Sequence, residues 1–214
     1  SWRRFGIAPE REERHWIRSY TFLRSFHERR THLLSTVCYV DLVAGDGDIN
    51  IRVGLNDGSG NFPTFQPLAT SYPTYFFELA DVDGDNKTEV ITSHDADQKV
   101  SVISRDGAGN YVARTIATDF RVLATTTADF NNDGLADIAV GTAGEWEENY
   151  LSIFLQDVSG DFQMAMTPFI GTYAYGLTSG DANNDGKIDI VGLSPNGATI
   201  ALLLNDFVAE PTIP

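Results

Sequence analysis

Two different motifs recur along this chain with one shared period. The first is an acidic nonapeptide: DVDGDNKTE from Asp81, DFNNDGLAD from Asp129 and DANNDGKID from Asp181, with starts 48 and then 52 residues apart. The second is a Gly- and Asx-rich turn: LNDGSGNF at 55–62, SRDGAGNY at 104–111, LQDVSGDF at 155–162 and a truncated LLND at 203–206. Its aspartates, Asp57, Asp106, Asp157 and Asp206, lie 49, 51 and 49 residues apart. A common period near 50 residues restricts the chain to a solenoid, a propeller or an array. In each of these, a unit buries its apolar surface only against its neighbours.

The pattern within each period is that of strands. INIRVGLND sets Ile49, Ile51, Val53 and Leu55 on one face, and KVSVIS, NYLSIFLQ and TIALLL occupy matching positions. DGSGN and DGAGN supply the residues of tight hairpins. A full unit reads strand, acidic loop, strand, loop, strand, hairpin, strand. In the second unit these are TYFFELAD, the loop from Asp81, EVITSH, KVSVIS, the hairpin at 106–110 and YVARTIA. ALLLN and NYLSIFL are apolar on both faces, as strands are when sheets cover them on both sides. Four-stranded units of this length, stacked face to face around an axis, are β-propeller blades. The expected fold is all-β, about four blade-like repeats over 41–214, alone or as part of a larger propeller.

Residues 1–40 stand outside the period. EREERHWIRSYTFLRSFHERR, after Pro9, places Trp16, Tyr20, Leu23 and His27 at helical spacing. This basic stretch, helical or disordered, reads either as an extension or cap, or as sequence read out of frame. WRR at 2–4 precedes no apolar segment, so a twin-arginine signal is not supported. Repeat phase puts an acidic loop at 33–41, where Leu33, Ser35 and Val37 fill positions 1, 3 and 5 and only Asp41 keeps position 9. That loop is not expected to hold a metal.

Charge follows the same division. Residues 1–40 carry eight Arg and four Glu; the remainder carries 26 acidic and seven basic residues. Such an acidic body argues against nucleic-acid phosphates as partners. No run of 18 apolar residues suggests membrane insertion, and the single Cys38 allows no internal disulfide.

The nonapeptides have the chemistry of a calcium loop. Calcium takes six to eight oxygens at roughly 2.3–2.6 Å in a tolerant geometry. A chain coiling tightly round an ion turns alternate side chains inward. Positions 1, 3 and 5 are Asp81, Asp83 and Asp85; Asp129, Asn131 and Asp133; Asp181, Asn183 and Asp185. Position 7, Lys87, Leu135 or Lys187, offers a backbone carbonyl. Position 9, Glu89, Asp137 or Asp189, closes the shell, with both oxygens expected to serve. Gly134 and Gly186 at position 6 supply the turn, whereas the first loop has Gly84 at position 4 and Asn86 at position 6. The first loop also carries the most carboxylates, and fewer charges mean weaker binding. About three calcium ions are expected, in a structural role. Magnesium is the weaker rival because it keeps its waters.

DVDGDNKTEVITS, DFNNDGLADIAVGTA and DANNDGKIDIVGL, each with its downstream hairpin, closely resemble FG-GAP/VCBS repeats. These are the calcium-bearing blades of integrin-α-type β-propellers and of many secreted bacterial proteins. The resemblance implies one ion per intact loop, between the first two strands of a blade, and a secreted or cell-surface location. The FG and GAP signatures are weak here, IAVGTAG at 138–144 being nearest to the latter.

The function expected is a ligand-binding or adhesion module for glycan or protein. Trp146 in TAGEWEENY, flanked by Glu145, Glu147 and Glu148, is a candidate stacking residue, though packing against a blade edge is the simpler explanation. Open blade edges offer self-association. Two alternatives stand: a polysaccharide lyase or hydrolase, and a purely structural accessory module of a larger surface protein. The enzymatic reading has only His94, beside Asp95 and Asp97, as a candidate, and a polar inter-strand loop accounts for that cluster.

Overall fold

The computed structural model describes residues 42–45, 50–74, 76–85, 87–144, 149–170, 174–194 and 199–206. Cys38, the basic segment 1–40, the failed loop at 33–41, Asn86 and Trp146 lie outside the described residues. Every regular element described is a strand. β1 (Leu42–Gly45), β2 (Asn50–Leu55) and β3 (Thr64–Ala69) form the first sheet. β4 (Phe76–Ala80), β5 (Glu89–His94), β6 (Lys99–Arg105) and β7 (Tyr111–Ala117) form the second. β8 (Arg121–Ala128), β9 (Asp137–Ala143), β10 (Asn149–Gln156) and β11 (Phe162–Met166) form the third. β12 (Gly176–Gly180), β13 (Asp189–Ser194) and β14 (Thr199–Leu203) form the fourth. All four sheets are antiparallel meanders in chain order.

The repeat phase aligns the sheets strand by strand. In the second and third sheets the acidic loop joins strands one and two, and the Asx turn joins strands three and four, as the pattern predicts. β1 follows the lost loop and β14 precedes the last Asx turn. The first sheet therefore shows strands two to four of the unit and the fourth sheet strands one to three, among the described residues.

Alternation sends successive side chains to opposite sheets. Val90 and Ile103 pack with Val43, Ile51 and Val53 of the first sheet. Their neighbours Ile91, Val100 and Val102 pack with Val122, Ile138, Val140 and Phe154 of the third. Ala139, Leu151 and Ile153 then face Ile190 of the fourth. Three apolar seams thus join four sheets in series. Strands β5 and β9 are buried along their whole length because both of their faces are covered. Gly141 belongs to this packing: a Cβ there would meet the Ala174 Cβ and carbonyl at 2.8 Å.

The expectation of two covered faces holds for β10 and departs for β14. Ile200, Leu202 and Leu204 are 67%, 53% and 51% exposed. They match Val100, Val102 and Ser104 in repeat phase, but no described sheet follows the fourth. Leu203, on the other face, packs toward the third sheet.

The turns explain the second motif. The Asp106 Oδ1 accepts the N–H groups of Ala108 at 2.9 Å and Asn110 at 2.8 Å, and the Asn110 Nδ2 donates to Oδ2 at 3.2 Å. Asp57 repeats the arrangement with Ser59 and Asn61, and Asp157 keeps its two backbone bonds, from Ser159 and Asp161. Each aspartate folds its hairpin by satisfying the backbone donors of the turn, a local competition that favours turns over strand.

Candidate metal centre

The three nonapeptides are the connections β4–β5, β8–β9 and β12–β13, at one end of three adjacent sheets. Position 4 adopts the left-handed conformation in each, with φ of 74° at Gly84, 60° at Asn132 and 60° at Asn184. Asparagine is among the few side-chain residues that visit this region readily. Gly134 and Gly186 at position 6 are also left-handed, at 89° and 85°. The sequence reading identified the glycines and missed the asparagines, although the repeated NND was the available signal.

Positions 1, 3 and 5 fold inward on their own loop. Asp129 accepts N–H groups from Asp133 at 3.1 Å and Gly134 at 2.8 Å, and Asp181 does the same for Asp185 and Gly186. The Asn131 Oδ1 accepts the Asp133 N–H, while its Nδ2 donates to the Asp133 Oδ2 at 2.9 Å. Asn183 and Asp185 match this pair. In the first loop Asp81 accepts from Gly84, Asp83 from Asp85, and Asp85 from Lys87. The Lys87 ammonium also pairs with the Asp85 carboxylate. That cation and its hydrogen bond hold the Asp85 carboxyl below its ordinary range. Asp185 is likewise lowered, by the Lys187 N–H and the Asn183 amide.

Position 9 has a second task that spacing alone does not reveal. One oxygen of Glu89, Asp137 and Asp189 accepts the N–H of position 2, Val82, Phe130 and Ala182, at 2.9 Å in each loop. The other oxygen of Asp137 accepts the Gln156 N–H at 2.9 Å, and that of Asp189 accepts the Asn205 N–H at 2.8 Å. These donors immediately precede the hairpin aspartates, so position 9 ties one motif to the other. All three carboxylates are buried. Position 2 was also missed: Val82 and Phe130 are buried and join the seams toward the following sheet.

Carboxylate oxygens of Asp81, Asp83 and Glu89 lie within 4.8 Å of one another. Burial first, and then the neighbouring charges of Asp83, Asp85 and Asp81, push the Glu89 carboxyl up to about 7. Burial and the charges of Asp133 and Asp129 raise Asp137 in the same way. The first loop therefore concentrates negative charge where three carboxylates converge; among the described residues the other two loops bring no such group of three together. The donor set, all oxygen and strongly anionic, fits a hard divalent cation.

The profile of the FG-GAP-like repeat matches residues 81–140 and 129–192. The chain belongs to the FG-GAP-like repeat family. Both matches begin at position 1 of a nonapeptide, Asp81 or Asp129, and end in the strand that follows the next one. The FG-GAP-like repeat is thus offset from the sheet: it takes in one acidic loop, strands two to four of that sheet, strand one of the next sheet and the next loop. No curated protein matches the chain.

The His94 cluster differs from its expected setting. His94 ends β5 in the interior, not in a polar loop: its Nδ1 lies 3.0 Å from the Pro73 carbonyl, and its Nε2 lies 3.0 Å and 2.8 Å from the Thr92 and Ser101 hydroxyls. Burial holds its imidazole below the ordinary value. Asp95 is held by Arg121 through two hydrogen bonds at 2.7 Å and 2.6 Å.

Proposed function

We propose that these FG-GAP-like repeats are calcium-stabilised blades of a β-propeller that works outside the cytoplasm as a ligand-binding or adhesion module. The observation that carries the metal reading is the convergence of Asp81, Asp83 and Glu89 on one point, with Glu89 buried among like charges. Without a cation, such a group is costly to ionise. With one, its charge is neutralised where the loop already encloses it. The second and third loops offer Asp129, Asn131, Asp133 and Asp137, and Asp181, Asn183, Asp185 and Asp189, with Lys87, Leu135 and Lys187 giving backbone carbonyls. The metal's role is structural: it closes a loop whose position 2 anchors the seam to the next sheet.

A glycan or a protein is the ligand class this scaffold would present itself to, with Trp146 as the stacking candidate. The interior placement of His94 favours a binding role over a catalytic one. Calorimetric titration of chelated protein with calcium tests the first claim, with about three sites expected. No heat and no change in melting temperature would overturn it. A glycan array probed with calcium-loaded protein tests the second, with binding lost in Trp146→Ala as the supporting result.

A further inference from the structure

Residues 70–74 leave β3 of the first sheet for β4 of the second, and two side chains of the second sheet hold them. His94 and Lys99 face each other across β5 and β6. The Lys99 ammonium lies 4.0 Å from the centre of the Tyr72 ring and donates to its hydroxyl at 2.5 Å. The His94 imidazole is tilted against the same ring, with 5.4 Å between centres. Its Nδ1 lies 3.0 Å from the Pro73 carbonyl, which can only accept, so Nδ1 carries the proton. Nε2 is then the acceptor for the Ser101 or Thr92 hydroxyl. Thr74 follows, buried, its hydroxyl without a hydrogen-bond partner among the described residues.

These surroundings suit the neutral ring. His94 is fully buried, and the groups on its two nitrogens are a carbonyl and two hydroxyls rather than a carboxylate. Asp95, the next residue, is taken up by Arg121 at the start of β8. The charges that face the ring oppose each other: Asp97 favours its protonated form and Lys99 disfavours it. A buried imidazolium with no carboxylate on it is costly. Tyr72 and Pro73 lie against the ring, so displacing them gives it water. We propose that His94 and residues 70–74 form an acid-released clasp. The neutral imidazole holds the crossing segment on the second sheet, and protonation frees that segment while the four sheets stay folded.

The test puts a thiol at position 74 of the full chain, Thr74→Cys in a Cys38→Ser background. Its reaction with dithiodipyridine is timed in chelator, relative to the urea-unfolded chain at the same pH. The reaction should quicken up to about tenfold between pH values of about 7.5 and 5.5, the most that one proton gives when the open ring titrates at about 6.5. The strand signal in circular dichroism should stay unchanged. Adding His94→Asn should leave a rate independent of pH. Adding Asp97→Asn should move the rise to lower pH, because Asp97 favours the charged ring; this variant carries the test should His94→Asn not fold. A flat profile in the parent, a rise that survives His94→Asn, a profile indifferent to Asp97→Asn, or quickening only as the strand signal is lost would overturn the inference.

Discussion

The Asp137 carboxylate accepts a hydrogen bond from the Gln156 backbone N–H at 2.9 Å, across 19 residues of chain. Its second oxygen accepts from Phe130, at the same distance. One buried side chain thereby fixes the acidic loop to the strand that leads into the Asx turn. Asp189 repeats the arrangement with Asn205 and Ala182.

This double task separates position 9 from the other loop carboxylates. Asp137→Ala leaves two buried donors without an acceptor and should cost about 2–6 kcal/mol, at roughly 1–3 kcal/mol for each. The loss should appear in chelator as well as in calcium, and should be larger in calcium because Asp137 is also one of the proposed ligands. Asp133→Asn should instead remove only the calcium-dependent part of stability. Denaturant melts of both variants, with and without chelator, check this.

Calcium at ten times its dissociation constant should add about 1.4 kcal/mol per site by mass action. Three sites would add about 4 kcal/mol, a large share of ordinary domain stability. Chelation should therefore lower the melting temperature. Asp81→Asn should weaken the tightest calorimetric site toward the other two, because the first loop alone has carboxylates at positions 1, 3, 5 and 9. An unchanged melt in EDTA counts against the metal.

Backbone conformation at position 4 gives a test independent of charge. Asn132 sits at φ 60°. Asn132→Gly should be nearly neutral, while Asn132→Ala should cost about 1–2 kcal/mol, the steric cost of a left-handed residue with a Cβ. Equal stabilities for the two variants would contradict the loop geometry.

His94 predicts a pH dependence. It is buried, hydrogen-bonded by Thr92, Ser101 and Pro73, and faces the charges of Asp97 and Lys99. Its folded pKa lies below the unfolded value of about 6.5. The unfolded chain therefore binds the proton first, and stability present above that value falls as pH drops below it. In chelator, His94→Asn should melt lower at neutral pH, and its melting temperature should fall less between pH values of about 7.5 and 5.5 than that of the parent. A parallel pair of curves would refute the assignment.

Much of the fold was legible because repetition averages over local ambiguity. Leu55 and Leu155 are unremarkable alone; at one phase of a shared period they mark the same strand. The hairpin aspartates were legible because Asx turns are local. The position-9 clamp was not, since its partner at Gln156 is a backbone N–H that any non-proline residue supplies. Nor was the exposed face of Ile200 and Leu202, because apolar sequence on both sides of a strand shows that it needs cover and not whether cover is present. The convergence of Asp81, Asp83 and Glu89 was readable from spacing, but the role of Val82 and Phe130 as plugs appears only once the following sheet is in place.

The seams run in series, and this orders the molecule's weaknesses. Among the described residues the second and third sheets are gripped on two faces, whereas the first and the fourth are gripped on one. In a nearest-neighbour assembly, each unit's hold is the sum of its own cohesion and its contacts with adjacent units. Opening should accordingly start as fraying at the two outer sheets, Leu42–Ala69 and Gly176–Leu203, and travel inward, leaving β5 and β9 as the last amides to exchange. The chain would then unravel from its outer sheets, like knitting, rather than collapse as a single block.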